Sequence, residues 1–514
     1  MDKKQGIFSS YFLDIVDKKL DFFARNAFVS LLILGLIGLA LRLYFVKPDI
    51  PLILDSLGYF LYANDVAVQG FSPLIYFDIG WPFFLSIFFV IFRFDDLISY
   101  MTLQRLVSVS ISVLTIIPVY LLGRRFFDKP YALMAAAFFV FEPHIIQNSL
   151  TGLSEPFFIF IGTFGLFLFL SPNQKVVYAS FGIVALFTII RSQGIILLPI
   201  ISILFFLRYK EDIKKVRRYL IALSIFALIV LPISIARDQL TGNDNLFRYI
   251  SGPVSSLVAA DDSNLGTKLI VGTEFLVKQI GKSMIPYFIF FIPFGIFLIF
   301  YKRDYHDWVL ILTLFISLLV TIQIFSVAPD LRYIFWLFPL FSIISVLTIR
   351  YVGERIENHN LFLVLVIIGV IVLSWYFLYI NDVDEDYEKE VLEFAKYVDE
   401  NVQVTNHFLP ESGYVSVIDM LKMSHYPFLS NTLPQESPKI ILIQSDSLED
   451  YLIKGRKEGL THLIIDSNDN RAQFLTDVFI NEKNYPYLEK IFDSLDHRYK
   501  KYHVKVFKID YQKF

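Results

Sequence analysis

Long runs of apolar residues constrain the fold of this chain more than any other feature of its sequence. Between residues 27 and 380 there are eleven of them, separated by polar segments. The hydrocarbon core of a bilayer is about 30 Å thick, so a helix needs about 20 mostly apolar residues to cross it. We therefore predict a polytopic α-helical membrane protein. The predicted spans are 27–46, 103–122, 131–149, 154–170, 176–190, 193–208, 219–237, 285–301, 307–326, 333–350 and 361–380.

The composition of the 514-residue chain agrees with this class. Hydrophobic residues make up 55% of it and charged residues 18%, whereas soluble domains contain about 45–50% apolar and about 25% charged residues. The net charge of −3 gives no indication of a nucleic-acid partner. The absence of cysteine from the sequence excludes disulfides, thiolate metal sites and a cysteine nucleophile.

Three short apolar stretches decide the number of crossings. Runs 176–190 and 193–208 meet at Arg191–Gly194, and we interpret them as a tight helical hairpin. The stretch 81–92, WPFFLSIFFVIF, is equally apolar but too short to cross, so we predict an interfacial helix there. The number of spans is then odd, and the chain begins and ends on opposite sides of the membrane.

Basic residues indicate the orientation. With the amino-terminal segment 1–26 in the cytoplasm, the inner segments carry nineteen lysines and arginines, whereas the outer segments between the spans carry about ten. No small-residue cleavage site follows the first span, so we expect an uncleaved anchor in the cell membrane. The outer regions are then the loops 47–102 and 238–284 and the carboxyl-terminal part, 381–514.

The part 381–514 is polar, and we predict that it forms a soluble extracytoplasmic α/β domain. Helical periodicity covers 386–400, and the segments KIILIQ, THLIIDS and HVKVFKID are typical of strands. Its sequence contains no nucleophile elbow, phosphate-binding loop or dinucleotide fingerprint. We interpret it as a module that packs against the rest or presents an acceptor.

Two acidic residues lie at predicted outer ends of helices. Asp55 opens an amphipathic helix that includes Tyr59, and it is either a helix cap or a carboxylate that takes a proton from an incoming hydroxyl. Glu155 precedes Pro156 at the start of the fourth span, and it either complements the helix dipole or serves a functional site.

Other ionisable residues lie within or beside predicted spans. Glu142 and His144, deeper in the third span, are either a pair satisfied by neighbouring helices or a functional pair that faces a cavity. Arg191 and Arg332 lie at outer ends of spans, where an arginine either snorkels to the headgroups or binds a phosphate in a bidentate manner. We interpret Arg42, in the first span, as a snorkelling or a buried, paired residue.

The order of these motifs resembles the GT-C class of membrane glycosyltransferases, specifically the branch with protein O-mannosyltransferases and bacterial aminoarabinose transferases. The segments that carry the resemblance are RLYFVKPDIPLILDSLGYFLYANDVAVQG, GWPFFLSIFFVIF, RLVSVSISVLTIIPVYLLGRRFFDKPYALMAAAFFVFEP, SLTGLSEPFFIF, TIIRSQGIILLP and LRYIFWLFP. The resemblance implies a GT-C-like membrane domain over 27–380, with about 11 transmembrane helices and interfacial helices in the first outer loop.

The resemblance also implies which residues form the site. Asp55 corresponds to the catalytic acid of the first outer loop, and Glu155 to the acidic residue that opens the fourth span. Arg332 and Tyr333 correspond to the arginine–tyrosine pair near the lipid phosphate, and Arg191 is a further candidate for binding it. The residues that we expect to line the cavity are Tyr59, Glu142, His144 and Gln193.

The reaction that the resemblance implies uses a sugar donor on polyprenyl (dolichyl-type) phosphate and a hydroxyl acceptor on a protein, glycan or lipid. Asp55 would act as general base, the sugar would be inverted, and Arg332 and Arg191 would stabilise the leaving phosphate. Whether a divalent cation lies between Asp55 and Glu155 stays open.

Two features separate this sequence from both branches. Ser56 follows Asp55 where many mannosyltransferases have glutamate, and Phe77–Gly80 lacks the lysine of the aminoarabinose transferases. The resemblance therefore does not carry over the substrate of either branch. The alternatives are a transporter or lipid flippase, which would often contain internal repeats, and a non-catalytic scaffold with the same fold.

Overall fold

The apolar runs of the sequence become the helices of the structure. The computed structural model describes residues 26–70, 78–94, 97–241, 262–301, 305–326, 329–382, 386–402, 406–410, 439–467 and 472–514. The predicted cytoplasmic segment up to residue 25 and the middle of the predicted loop 238–284, residues 242–261, lie outside this described part. Two compact units divide the chain. The first comprises the described parts of Met1–Val46, Tyr62–Val90 and Gln104–Asp382, and the second those of Lys47–Leu61, Ile91–Leu103 and Val383–Phe514.

Each predicted span coincides with at least one helix. The α-helices between residues 26 and 382 are α1 (Ala27–Phe45), α2 (Asp55–Gln69), α3 (Gly80–Ile91), α4 (Leu97–Leu114), α5 (Ile116–Gly123), α6 (Lys129–Val140), α7 (Pro143–Leu150), α8 (Glu155–Phe169), α9 (Gln174–Ile190), α10 (Leu197–Arg208), α11 (Lys215–Thr241), α12 (Asp262–Ser283), α13 (Phe288–Tyr301), α14 (Tyr305–Phe325), α15 (Phe338–Gly353) and α16 (His359–Ile380). Two 3₁₀ helices, Ser192–Ile196 and Leu331–Leu337, directly precede α10 and α15.

The predicted number of eleven spans is not confirmed. In the described part of the chain, six helical stretches are long and apolar enough to cross a membrane, or seven if the bent pair of α12 and α13 is one span. Five other apolar helices have 10–17 residues, among them α6, α8 and α9. Apolar runs alone do not show where a helix ends, so the count of eleven stays a prediction. Helix α3 has 12 residues, too few to cross a bilayer; its interfacial position stays a prediction.

Helix α6 is enclosed by the rest of the first unit. All its residues from Tyr131 to Val140 are buried, and it packs against α1, α5, α15 and α16. A helix that is apolar on every face needs neighbours on every side. The consecutive small side chains Ala135, Ala136 and Ala137 allow those neighbours to approach closely.

The third predicted span is broken at Glu142. Helix α6 ends at Val140, and α7 begins at Pro143, a residue that suits the first position of a helix because no amide hydrogen is needed there. Glu142 caps α7: its Oε2 accepts the Ile145 N–H at 2.7 Å, and its Oε1 lies 2.8 Å from His144 Nδ1. Both oxygens of this fully buried carboxylate thus find partners in the adjoining turn.

Carbonyl groups freed at this break accept hydrogen bonds from three other segments. These residues are buried and out of reach of water, so the protein must supply each donor. The bonds run from Tyr287 Oη to Phe138 O at 2.7 Å, from Arg42 Nη1 to Val140 O at 2.9 Å and from Ser374 Oγ to Phe141 O. These polar side chains stabilise an interruption that the apolar run did not reveal.

Arg42 is buried and paired, which is one of its two predicted arrangements. It is completely inaccessible to solvent. Besides Val140 O, its Nη1 donates to Gly38 O at 3.0 Å, and its Nη2 donates to Ser112 Oγ at 2.9 Å. The negative charge of Glu142 stabilises the Arg42 guanidinium group. Arg42 therefore joins α1, α4 and the end of α6.

The second unit contains the predicted carboxyl-terminal strands. KIILIQ, THLIIDS and HVKVFKID form β2 (Lys439–Ile443), β3 (His462–Asp466) and β5 (Val504–Ile509), which confirms all three predicted strands. The remaining elements are α17 (Asp386–Asn401), β1 (Asn406–Pro410), α18 (Leu448–Glu458), α19 (Gln473–Ile480), a short 3₁₀ helix (Glu482–Asn484) and β4 (Leu488–Asp493). Strands β1 and β2 are parallel, and the other three form an antiparallel sheet in the order β3–β5–β4.

A hydrophobic cluster holds α17 against the antiparallel sheet. Val391 and Phe394 of α17 pack with Phe492 of β4 and Val504 of β5. Ile98, at the start of α4, packs against the same cluster. Part of the predicted first outer loop therefore belongs to the core of the second unit. The extracytoplasmic location of this unit stays a prediction.

Candidate active site

Glu155 opens α8 and is the most deeply buried acid of the site, with 1% of its surface exposed. It follows Ser154 and precedes Pro156, so the sequence places it in the first turn of the helix. A carboxylate is favourable there because the amide hydrogens of a helix start are partly positive. Since the helix dipole alone does not neutralise a buried charge, Glu155 also needs cationic partners.

Arg191 supplies the first of these partners. It lies where α9 ends, in an extended conformation (φ −147°, ψ 126°) that turns the chain into the following 3₁₀ helix. Its Nη1 contacts Glu155 Oε1 and donates to Ser154 Oγ at 3.4 Å. Its guanidinium carbon lies 5.8 Å from the centre of the Tyr333 ring, within the range of a cation–π contact.

Arg332 supplies the second cation. Its Nη1 lies 4.0 Å from Glu155 Oε1. Its other nitrogens pair with Asp330: Nε and Nη2 both lie 2.7 Å from Asp330 Oδ2. Asp330 also caps the 3₁₀ helix Leu331–Leu337, because its Oδ1 accepts the Arg332 N–H at 2.9 Å. The structure therefore brings Glu155, Arg191, Arg332 and Tyr333 together at the start of α8.

Two buried polar atoms near this cluster have no hydrogen-bond partner among the described residues. They are Glu155 Oε2 and Gln193 Nε2, one an acceptor and the other a donor. Gln193 lies in the 3₁₀ helix two residues after Arg191 and is 5% exposed. A buried polar atom without a partner is unfavourable, so a ligand that bonds either atom would gain from it.

Asp78 is a member of the cluster that the sequence analysis did not identify. Its Oδ2 accepts hydrogen bonds from Ser192 N at 3.0 Å and Ser192 Oγ at 3.2 Å. Burial raises the pKa of Asp78, and the Ser192 hydrogen bonds and the charges of Arg191 and Arg237 offset only part of this rise. The available signal was an acid placed between Phe77 and Ile79, directly before an apolar helix.

Gly80 explains why Asp78 can approach the turn after α9. A Cβ at this position would lie 2.6 Å from Ile190 Cα and 2.8 Å from Ile190 N, closer than such atoms can approach. Only glycine therefore permits the start of α3 to pack on the end of α9. The contact fixes the backbone on both sides of Arg191, because Asp78 bonds the residue after it and Gly80 touches the residue before it.

Asp78→Ala is expected to loosen this turn. The Ser192 N–H would lose its acceptor, which costs about 1–3 kcal/mol of unfolding free energy for a buried donor. Asp78→Asn keeps an acceptor oxygen and should cost less. The measurement is amide hydrogen exchange over residues 190–194 together with thermal unfolding. Asp49→Ala, which removes a carboxylate from an exposed position, is the control. Equal exchange rates in wild type and Asp78→Ala would contradict this role.

Asp55 and Tyr59 belong to the second unit, whereas Glu155, Arg191 and Arg332 belong to the first. Asp55 is the first residue of α2 and is half-buried, and Tyr59, one turn later, is buried. Leu54, directly before Asp55, has a φ of +55°. This left-handed conformation is unfavourable for leucine and indicates local strain at the start of α2.

Glu142 and His144 form the hydrogen-bonded pair described above, in which both Glu142 oxygens are engaged. The His144 ring packs on Phe338 and Phe377. These contacts give the pair a structural role at the helix break. Whether it also lines a cavity stays a prediction.

The described residues do not fit a divalent cation. No group of three or more histidine and acidic side chains that could hold a metal lies among them. Glu155, one of the two acids considered for such a site, already faces the guanidinium groups of Arg191 and Arg332. These positive charges would repel a metal ion, so we derive no step through one.

Neither a protein family model nor a curated protein matches this chain, but solved structures do. An oligosaccharyltransferase of Archaeoglobus fulgidus, solved with Zn and sulfate, matches with a TM-score of 0.61 and 14% identity over 85% of this chain and 68% of that chain. AglB of the same organism, in complex with an inhibitory peptide and a dolichol-phosphate, matches with a TM-score of 0.56 and 15% identity; the match covers 86% of this chain and 69% of AglB. ArnT of Cupriavidus metallidurans, bound to undecaprenyl phosphate, matches with a TM-score of 0.58 and 10% identity; the match covers 94% of this chain and 98% of ArnT.

These neighbours are GT-C glycosyltransferases. This chain has a GT-C fold. This is the fold that the resemblance in the sequence implied, and the apolar helices make the chain a multi-pass membrane protein. With ArnT the GT-C match extends over nearly the whole of both chains.

Proposed function

We propose that this chain is a membrane glycosyltransferase that moves a sugar from a polyprenyl-phosphate donor to an acceptor hydroxyl at the outer membrane face. The observation that carries the proposal is the pair of arginines at Glu155: Arg191 contacts this buried carboxylate, and Arg332 lies 4.0 Å from it. Two fixed guanidinium groups suit a phosphate, whose oxygens accept several hydrogen bonds at once. The dolichol-phosphate of AglB and the undecaprenyl phosphate of ArnT support a lipid-linked donor.

The proposed topology follows from the sequence. The amino-terminal segment is cytoplasmic, the chain crosses the membrane eleven times, and the carboxyl-terminal unit is extracytoplasmic. In this topology the shorter apolar helices α8 and α9 also cross, and Glu155, Arg191 and Arg332 lie at the outer ends of their helices. A donor delivered by the membrane suits this face because nucleotide sugars are made inside the cell.

In the proposed reaction, the acceptor oxygen attacks the anomeric carbon while Asp55 takes the hydroxyl proton. A carbon–oxygen bond forms to the acceptor as the bond from the anomeric carbon to the phosphate oxygen breaks. The electron pair leaves with polyprenyl phosphate, and the configuration of the sugar inverts. The strained Leu54, directly before Asp55, supports a functional role for this position, because such strain clusters at functional sites.

The arginines act on the leaving group in this scheme. Negative charge grows on the phosphate oxygens as the bond breaks, and Arg191 and Arg332 stabilise it. Glu155 orients both guanidinium groups, since it bonds Arg191 and lies near Arg332. Its buried Oε2, which has no partner among the described residues, is available to a donor hydroxyl.

The test uses the purified full chain in lipid nanodiscs, with a panel of polyprenyl-phosphate-linked hexoses and pentoses and a mixture of protein, glycan and lipid acceptors. We expect one donor to release polyprenyl phosphate, measured by mass spectrometry. We also expect the chain to bind undecaprenyl phosphate in preference to undecaprenol, which lacks the phosphate. Movement of an intact donor across sealed vesicles without bond cleavage would identify a flippase and contradict the proposal.

A further inference from the structure

Both arginines near Glu155 are paired with carboxylates before any donor arrives. Arg191 contacts Glu155, and Asp330 pairs with Arg332. Two guanidinium groups thus face two carboxylates within one cluster, where Arg332 and Glu155 are 4.0 Å apart. A phosphate that binds these arginines must therefore compete with a carboxylate that is already in place.

The two carboxylates differ in how easily they can be displaced. The Glu155 side chain is 1% exposed, whereas that of Asp330 is 37% exposed. A buried carboxylate that loses its partner remains desolvated, which is strongly unfavourable. A partly exposed carboxylate regains water when its partner leaves, so its ion pair is weak. Asp330 is consequently the group that a phosphate can replace on Arg332.

Asp330 stays near Arg332 even when their ion pair opens. Its Oδ1 accepts the backbone N–H of Arg332 at 2.9 Å, and only its Oδ2 pairs with the guanidinium group. Burial raises the pKa of Asp330, but the hydrogen bonds and charge of Arg332 outweigh this effect and hold the pKa below its ordinary value. Asp330 is therefore an anion at neutral pH, tethered two residues from the cation it competes for.

We propose that Asp330 exchanges with the lipid phosphate: its carboxylate occupies Arg332 in the empty site, yields to the donor and returns to expel the product. This inference rests on the proposed function. The phosphate of the donor is a diester with one negative charge. The phosphate of the product is a monoester, which carries about −1.5 to −2 at pH 7. The product therefore binds the arginines more tightly than the donor does, and its release benefits from a tethered competitor.

Asp330→Asn tests this exchange without removing the helix cap. Asparagine keeps an oxygen that accepts the Arg332 N–H, but it lacks the charge that competes for the guanidinium group. With the full chain in nanodiscs, we expect undecaprenyl phosphate to bind about fivefold more tightly to Asp330→Asn than to wild type. We also expect a lower kcat, because product release becomes slower. A purely structural role for Asp330 would weaken binding instead.

Glu354→Gln provides the matched control. Glu354 pairs with Arg350 Nε at 2.7 Å, and the two side chains are 53% and 45% exposed. Removing this ion pair should leave the affinity for undecaprenyl phosphate unchanged. If wild type prefers undecaprenyl phosphate to undecaprenol but Asp330→Asn binds it equally or less tightly, the exchange is wrong and the proposed function stands. If wild type shows no such preference, the proposed function itself is wrong.

Discussion

Asp55→Asn is expected to lower the rate of sugar transfer about a thousandfold. General base catalysis contributes about 10²- to 10⁴-fold to a rate, and asparagine cannot accept the proton of the acceptor hydroxyl. The substitution keeps the size and shape of the side chain, so binding of the lipid donor should change little. The measurement is the turnover of the polyprenyl-phosphate donor by purified wild type and variant, alongside the affinity of each for undecaprenyl phosphate.

The competing explanation for Asp55 is that it caps α2. Asparagine and serine both cap helices well, so a cap would survive in Asp55→Asn and in Asp55→Ser. A base would be lost in both variants. Asp49→Asn removes the same charge from an exposed position six residues earlier and should retain full activity. Near-normal transfer by Asp55→Asn would show that Asp55 is not the base, whatever the rest of the site does.

The helices could be predicted from the sequence because their cause is local. A run such as 361–380 is apolar throughout, and it forms α16 over His359–Ile380. The breaks between helices inside an apolar run could not be predicted from the apolar pattern. The run 131–149 continues across Glu142, yet the helix breaks there because Pro143 starts a new one and distant donors bond the freed carbonyls. Such partners are unknown until the fold is known.

The site could be predicted in part for a similar reason. Glu155, Arg191 and Arg332 were found because ionisable residues are unusual at the ends of apolar helices. Asp78 was missed because the partner that defines it, Ser192, is 114 residues away in the sequence. Asp330 was also missed, although an aspartate directly before a helix is a typical cap.

The contacts of Arg42 predict the largest effect on stability. Arg42→Met should lower the free energy of unfolding by about 3–5 kcal/mol, because the positive charge of Arg42 stabilises the fully buried Glu142, which would keep only its contacts with Ile145 N and His144 Nδ1. Val140 O and Ser112 Oγ would also lose their donor at buried positions where water cannot replace it. The measurement is thermal unfolding of the purified chain in detergent.

The double variant Arg42→Met/Glu142→Gln separates these two causes. Glutamine can still accept the Ile145 N–H that Glu142 accepts at 2.7 Å, but it needs no countercharge. If the unpaired charge dominates, the double variant should be more stable than Arg42→Met alone, and a double-mutant cycle measures the difference. The same substitution at the exposed Arg355 should change stability by no more than about 0.5 kcal/mol. Equal stability of wild type and Arg42→Met would show that the charge of Glu142 is balanced without Arg42.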